Sequence, residues 1–166
     1  MNVDQKKQLA EDPPADALGH REQGGKTLTY IEGWWAIDQM DAIFSPDGWS
    51  RCFTGKGLYE VSRFEHMVKG RDGIERMRYD IGMLCEYRTT AGGAVAEDVG
   101  FGIGQSYHGY ADAFESAAKE AVTDALKRCL RSLGRRFGNS LYDKKDPSHN
   151  QNGNQGNHAP QDAGGF

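Results

Sequence analysis

The sequence predicts an α+β fold: a short helix, a three-stranded antiparallel β-meander and a long helix, giving a β-β-β-α core. Three observations lead there. The apolar period changes from helical to alternating after a Ser-Pro-Asp-Gly turn, the alternating segments are separated by Gly-rich turns, and a helical period returns in a stretch of strong helix formers.

Residues 1–25 contain "EDPPAD" and "QGG" without an apolar period and are expected to be a flexible N-terminal arm. In "EGWWAIDQMDAIFSPDGW", Ile37, Met40 and Phe44 share one helical face and Ser45-Pro46-Asp47-Gly48 supplies the stop, so a short amphipathic helix is expected. In "RMRYDIGMLCEYR", Met77, Tyr79, Ile81, Met83, Cys85 and Tyr87 alternate with Arg76, Arg78, Asp80, Glu86 and Arg88, Leu84 being the apolar exception. That pattern is a strand with one buried face and one wet, arginine-rich face. Turns at "KGRDG" and "TTAGG" make "GLYEVSRFEHMV" and "AVAEDVGFGIG" its antiparallel neighbours. Val95, Val99, Phe101 and Ile103 then share a face, and Gly100, Gly102 and Gly104 leave the opposite face bare for the close approach of a helix.

The long helix is "KEAVTDALKRCLRSLGRRFGN", with Gly134 near its end. Ala118, Val122, Ala125, Leu126, Cys129, Leu130 and Leu133 fill an arc of roughly 140°, and Lys127, Arg128, Arg131 and Arg135 lie on the opposite side. The folded domain is expected over residues 26–145. Residues 146–166 are rich in Asn, Gln and Gly, lack Lys and Arg, and are expected as a disordered tail, either a solubilising linker or a docking peptide.

Composition narrows the chemistry. A chain of 166 residues is one ordinary domain plus tails. Cys52, Cys85 and Cys129 are odd in number and widely spaced, which indicates neither a disulfide framework nor a zinc knuckle. No secretory or transit segment and no membrane-spanning apolar run is visible, so a cytoplasmic protein without a membrane role is expected. The five histidines are scattered, no phosphate-loop motif occurs, and "GFGIG" lacks the spacing of a phosphate cradle. Neither an enzyme nor a cofactor is indicated.

Charge points elsewhere. Formal net charge is -4, yet Lys127 to Arg136 contains five Lys or Arg and no Asp or Glu. Like charges at that density repel, and a polyanion would relieve them. Glu120 and Asp124, one turn earlier, can offset part of the repulsion, so a merely solvated face remains the alternative. Trp34, Trp35, Trp49 and Tyr59 are available either for base stacking or for the core.

Three blocks, "YIEGWWAIDQMDAIFSPDGWS", "EDVGFGIG" and "KEAVTDALKRCLRSLGRRFGN" followed by "DKK", resemble the signature blocks of the Rad-fifty-two family of single-strand annealing proteins, over about residues 28–145. The resemblance implies ATP-independent binding of single-stranded DNA and annealing of complementary strands in recombination and repair. It also implies self-assembly into a ring or helical oligomer. Lys127, Arg128 and Arg131 occupy the family's groove-lining positions, and Lys119 matches another basic position. Where eukaryotic members read "YIEGHR", this chain reads "YIEGWW". Trp35 therefore replaces an arginine, and either Arg135 or Arg136 restores the charge or a base stacks on the indole. Arg78 and His108 stand near the positions of an outer DNA site, which is expected to be weakened or different here. Brevity suggests a bacterial or phage-type member, and a recombinase or single-strand binding protein is a candidate partner for the tail. A module that coats single strands, or mediates recombination without annealing, is the alternative.

Overall fold

The computed structural model describes residues 1–142, so the tail 146–166 lies outside the described residues. Chain order is helix α1 (Val3–Ala10), strands β1 (Leu18–Gln23) and β2 (Lys26–Ile31), helix α2 (Gly33–Phe44), strands β3 (Trp49–Lys69), β4 (Glu75–Ala91) and β5 (Ala94–Ser106), and helix α3 (Tyr110–Arg131). Short 3-10 turns at Ala15–Ala17, Arg135–Phe137 and Asn139–Tyr142 complete it.

The expected meander is present. β3, β4 and β5 form one antiparallel sheet in sequence order, and Ile81, Met83, Cys85 and Tyr87 on one face of β4 are buried. β3 starts earlier than its alternating pattern indicates, because shifts in register between Phe53 and Leu58 and between Glu60 and Ser62 interrupt the alternation. α2 buries Met40 and Phe44 as its period predicts, and ends in a turn closed by Gly48 N–H donating to the Ser45 carbonyl at 3.0 Å.

α3 crosses the same sheet face. Its Ala113, Ala117, Ala121 and Ala125 recur every four residues and are fully buried against Gly100, Gly102 and Gly104 of β5. A methyl at Gly102 would lie 2.1 Å from the Ala117 carbonyl oxygen, so only glycine admits the helix backbone this close. The sheet's other face carries Val95, Val99, Phe101 and Ile103 exposed on β5, and Phe64 exposed on β3, across β4 from them.

The arm expected at residues 1–25 is instead regular structure. Asn2 and Gln5 form a reciprocal capping box on α1, Leu9 and Ala17 are buried in the core, and β1 pairs with β2 across a two-residue Gly24-Gly25 turn. Both glycines have positive φ, 59° and 73°, the geometry of a tight hairpin. "QGG" is thus a turn. α1 anchors through the single buried residue Leu9, too few to leave a period in the sequence.

α3 begins at Tyr110, earlier than expected, and ends at Arg131, before Gly134. Arg135 and Arg136 therefore leave the helical arc and sit on the following 3-10 turn.

Candidate nucleic-acid interface

A groove of about 650 Å³ runs between α3 and the β1–β2 hairpin. Its cations are Lys119, Lys127, Arg128 and Arg131 from α3 and Arg21 from β1. Tyr30 of β2 sits between the walls. The Lys127 ammonium lies 4.9 Å from the Tyr30 ring centroid and the Arg21 guanidinium 6.0 Å from it, two cations held by one ring.

The cations differ in how they are held. Burial lowers the Lys127 pKa; Glu32 and Asp124 pull it back up, while Arg21 pushes it further down. Arg128 is exposed, and its Nε donates to Asp98 at 3.0 Å. Arg131 is half-buried in the last turn of α3, where the helix dipole favours a cation. Lys119 is the outermost, with an i to i+4 ion pair to Glu115.

Two acids also line the groove, but they turn toward the sheet. The Glu120 carboxylate accepts from the Ile103 N–H at 2.8 Å and that of Asp124 from the Phe101 N–H at 3.2 Å. These are outward N–H groups of β5, the edge strand. The offsetting of charge by Glu120 and Asp124 expected from the sequence is thereby shared with the backbone.

Arg135 and Arg136 engage the N-terminal segment. Arg135 donates to both carboxylate oxygens of Asp12, at 3.1 and 2.9 Å. Arg136 donates twice to Gln39 Oε1, at 3.0 and 2.7 Å, and its guanidinium lies 5.2 Å from the Trp35 ring centroid. Trp35 is only 8% exposed, whereas Trp34 is 62% exposed. A base stacking on Trp35 is therefore not what this packing offers: the indole belongs to the core and one face is taken by Arg136. The side chain following "YIEG" that reaches solvent is Trp34.

Arg78 lies away from the groove, on the sheet face opposite α3. It is half-buried, donates to Asp80 at 2.8 Å and contacts His66 Nε2 at 3.2 Å. His108 is exposed beyond β5. Arg21 and Tyr30 are the groove residues that the sequence reading missed, and the Gly24-Gly25 hairpin turn was the signal that could have placed them. Among the described residues no group of His, Cys, Asp and Glu could hold a metal ion, and no helix is long and apolar enough to cross a membrane.

The chain matches the Rad52/22 family double-strand break repair protein family over residues 3–159. It is 42% identical over 123 residues to the DNA repair and recombination protein RAD52 of Kluyveromyces lactis, covering 73% of this chain and 26% of that protein. It is 54% identical over 121 residues to the DNA repair and recombination protein radC of Emericella nidulans, covering 72% and 19%, and 38% identical over 122 residues to rad22 of Schizosaccharomyces pombe, covering 73% and 24%. The chain thus spans between about a fifth and a quarter of the length of these relatives, 19% to 26%. All three are fungal, and they lend no support to a bacterial or phage-type origin. With the family match running over residues 3–159, nearly the whole chain, the chain belongs to the Rad52/Rad22 family of double-strand break repair proteins.

Proposed function

We propose that this chain binds single-stranded DNA in the groove between α3 and the β1–β2 hairpin and anneals complementary strands without ATP. The observation that carries the reading is the convergence of Lys127, Arg128 and Arg131 on one wall with Arg21 opposite. Contacts of that kind address phosphates and leave base edges open to a second strand. Duplex formation supplies the driving force, about 1.4 kcal/mol per base-pair step, so no nucleotide hydrolysis is required. Lys119 extends the cationic wall outward. Arg78, already paired with Asp80, is at most part of a separate and weaker contact.

Annealing also requires many equivalent contacts along a strand, which repetition of the groove in a ring or helical assembly provides. The exposed apolar residues Val95, Val99 and Ile103, with Phe101 where this face meets the groove, offer a surface for self-association. The 26–145 unit, together with the N-terminal segment that brings Arg21 to the groove, is the proposed carrier of both activities, and a recombinase or single-strand binding protein is the proposed partner of the tail. No residue set in the groove suggests bond-breaking chemistry.

Mixing complementary oligonucleotides without ATP at moderate salt, with and without protein, tests the reading. Acceleration over spontaneous pairing is expected, and Lys127→Ala with Arg131→Ala should abolish it. Tight binding with slowed pairing would replace annealing by the coating or mediator alternative.

A further inference from the structure

We propose that Arg135 is a phosphate subsite at the end of the groove and that Asp12 occupies it in the DNA-free protein, so that the N-terminal segment competes with DNA for this cation. The inference rests on the groove being the DNA channel and concerns how that channel is extended and regulated. Arg131, before Arg135, and Phe137 and Gly138, after it, line the groove; Arg135 does not itself line it but sits beside Asp12 on the 3-10 turn at its end, where a strand continuing past α3 would meet it.

The geometry of the Asp12 contact is what a phosphate would adopt. Arg135 offers Nε and Nη2 side by side, and each takes one carboxylate oxygen. The same fork receives two phosphate oxygens. The side chains are 45% and 55% exposed, so the pair is held by a screened, solvent-accessible contact that a competing anion can displace. A strand already held at Arg131 presents its next phosphate at high local concentration, which favours the exchange.

The neighbouring cation behaves differently. Arg136 is only 21% exposed, is stacked on Trp35, and is bonded to Gln39 and to the Asp12 carbonyl oxygen. It also pairs with Glu11 at 3.6 Å. Arg136 therefore holds residues 11–12 through the Asp12 carbonyl oxygen and the Glu11 carboxylate, and the exposed Asp12 side chain is the part that meets Arg135. One arginine positions the competitor; the other is the site competed for.

A four-protein cycle tests this. Affinity for a labelled oligothymidine is measured over a range of salt for the unmodified chain, Asp12→Ala, Arg135→Ala and the double variant, with thermal unfolding of each recorded. Asp12→Ala is expected to tighten binding by about threefold, the scale of one exposed ion pair. Arg135→Ala is expected to weaken binding and to lower the slope of log affinity against log salt by about 0.7, one single-strand phosphate contact. In the Arg135→Ala background, Asp12→Ala should have no further effect.

An equal gain from Asp12→Ala in both backgrounds would mean that a general negative charge had been removed, and would overturn the proposal. So would an unchanged slope in Arg135→Ala, or no gain in Asp12→Ala. Should Asp12→Ala lower thermal stability, Asp12→Asn repeats the cycle with the side-chain volume kept, and the same outcomes decide. Lys127→Ala separates the two levels of the argument. If it weakens binding while the Asp12 and Arg135 variants behave as the unmodified chain, only the subsite fails; if it leaves binding intact, the groove assignment fails with it.

Discussion

Replacing Gly102 by alanine should destabilise the protein and loosen the groove together. The added methyl would stand 2.1 Å from the Ala117 carbonyl oxygen and 2.4 Å from the Ala121 nitrogen. Both are backbone atoms of α3, so no side-chain rotation relieves the clash. Ordinary contact begins at 3.4 Å, and α3 has to retreat by roughly 1.3 Å at that point. A gap of that size forfeits a large part of the dispersion attraction along the fully buried Ala113, Ala117, Ala121 and Ala125 stripe. Overpacking of this kind costs about 3 kcal/mol, the upper end of the usual range, because the obstacle is rigid. Urea unfolding should show a lower midpoint at unchanged slope. Gly73, with nothing within 4 Å of an added methyl but a φ of +79°, is the comparator, and Gly73→Ala should cost about 1 kcal/mol from backbone strain alone. α3 carries Lys127 and Arg131, so single-strand affinity should fall in Gly102→Ala and not in Gly73→Ala. A Gly102→Ala protein within about 0.5 kcal/mol of the unmodified chain would refute the close seating of helix on strand.

Two further outcomes follow from the site. Burial lowers the Lys127 pKa, and the charged ammonium is the form that binds phosphate, so the loss of DNA affinity on raising the pH should begin below the ordinary lysine range. Lys127→Arg keeps its charge and should flatten that profile in a binding titration, and identical profiles would contradict the buried setting. Trp35→Ala should cost about 3 kcal/mol or more in thermal or chemical unfolding, as the loss of a core aromatic, whereas Trp34→Ala should stay within about 0.5 kcal/mol. The reverse order would place Trp35 at the surface.

Period made most of the fold legible. Met40 and Phe44, the alternation of β4, and Ala125, Leu126, Cys129 and Leu130 of α3 each belong to an element long enough to repeat its pattern several times, although the packed arc expected through Ala118 and Val122 is shifted in the structure to Ala117 and Ala121. The glycines of "GFGIG" were legible as a site of close approach for the same reason: they recur every second residue on a single face. α1 and the β1–β2 hairpin were not, because each is short and α1 buries only Leu9. At the site, Lys127 and Arg131 could be placed from the helical wheel alone. Arg135 and Arg136 could not, since α3 ends at Arg131 and their directions depend on the turn that follows. Tyr30 and Arg21 meet Lys127 across about a hundred residues of sequence, a contact set by packing of the hairpin rather than by any local pattern.

An acidic chain can hold a cationic groove only if its acids are occupied elsewhere, and the β5 edge is where three of them go. An edge strand presents outward N–H groups that invite another strand to pair. Here the Val99 N–H donates to Asp98, the Phe101 N–H to Asp124 and the Ile103 N–H to Glu120, so successive outward donors each meet a carboxylate. Asp98 is shared with Arg128, at 3.0 Å, and so ties the edge to the groove wall. The strand gains protection from pairing along this edge, and the carboxylates of α3 are turned toward backbone donors instead of toward the space a phosphate chain would fill. The packing that brings them there is the glycine-alanine contact, since Glu120 and Asp124 reach the β5 backbone only when α3 lies this close. Helix seating, edge protection and groove potential are therefore one arrangement, and a change that lifts α3 from β5 disturbs all three at once.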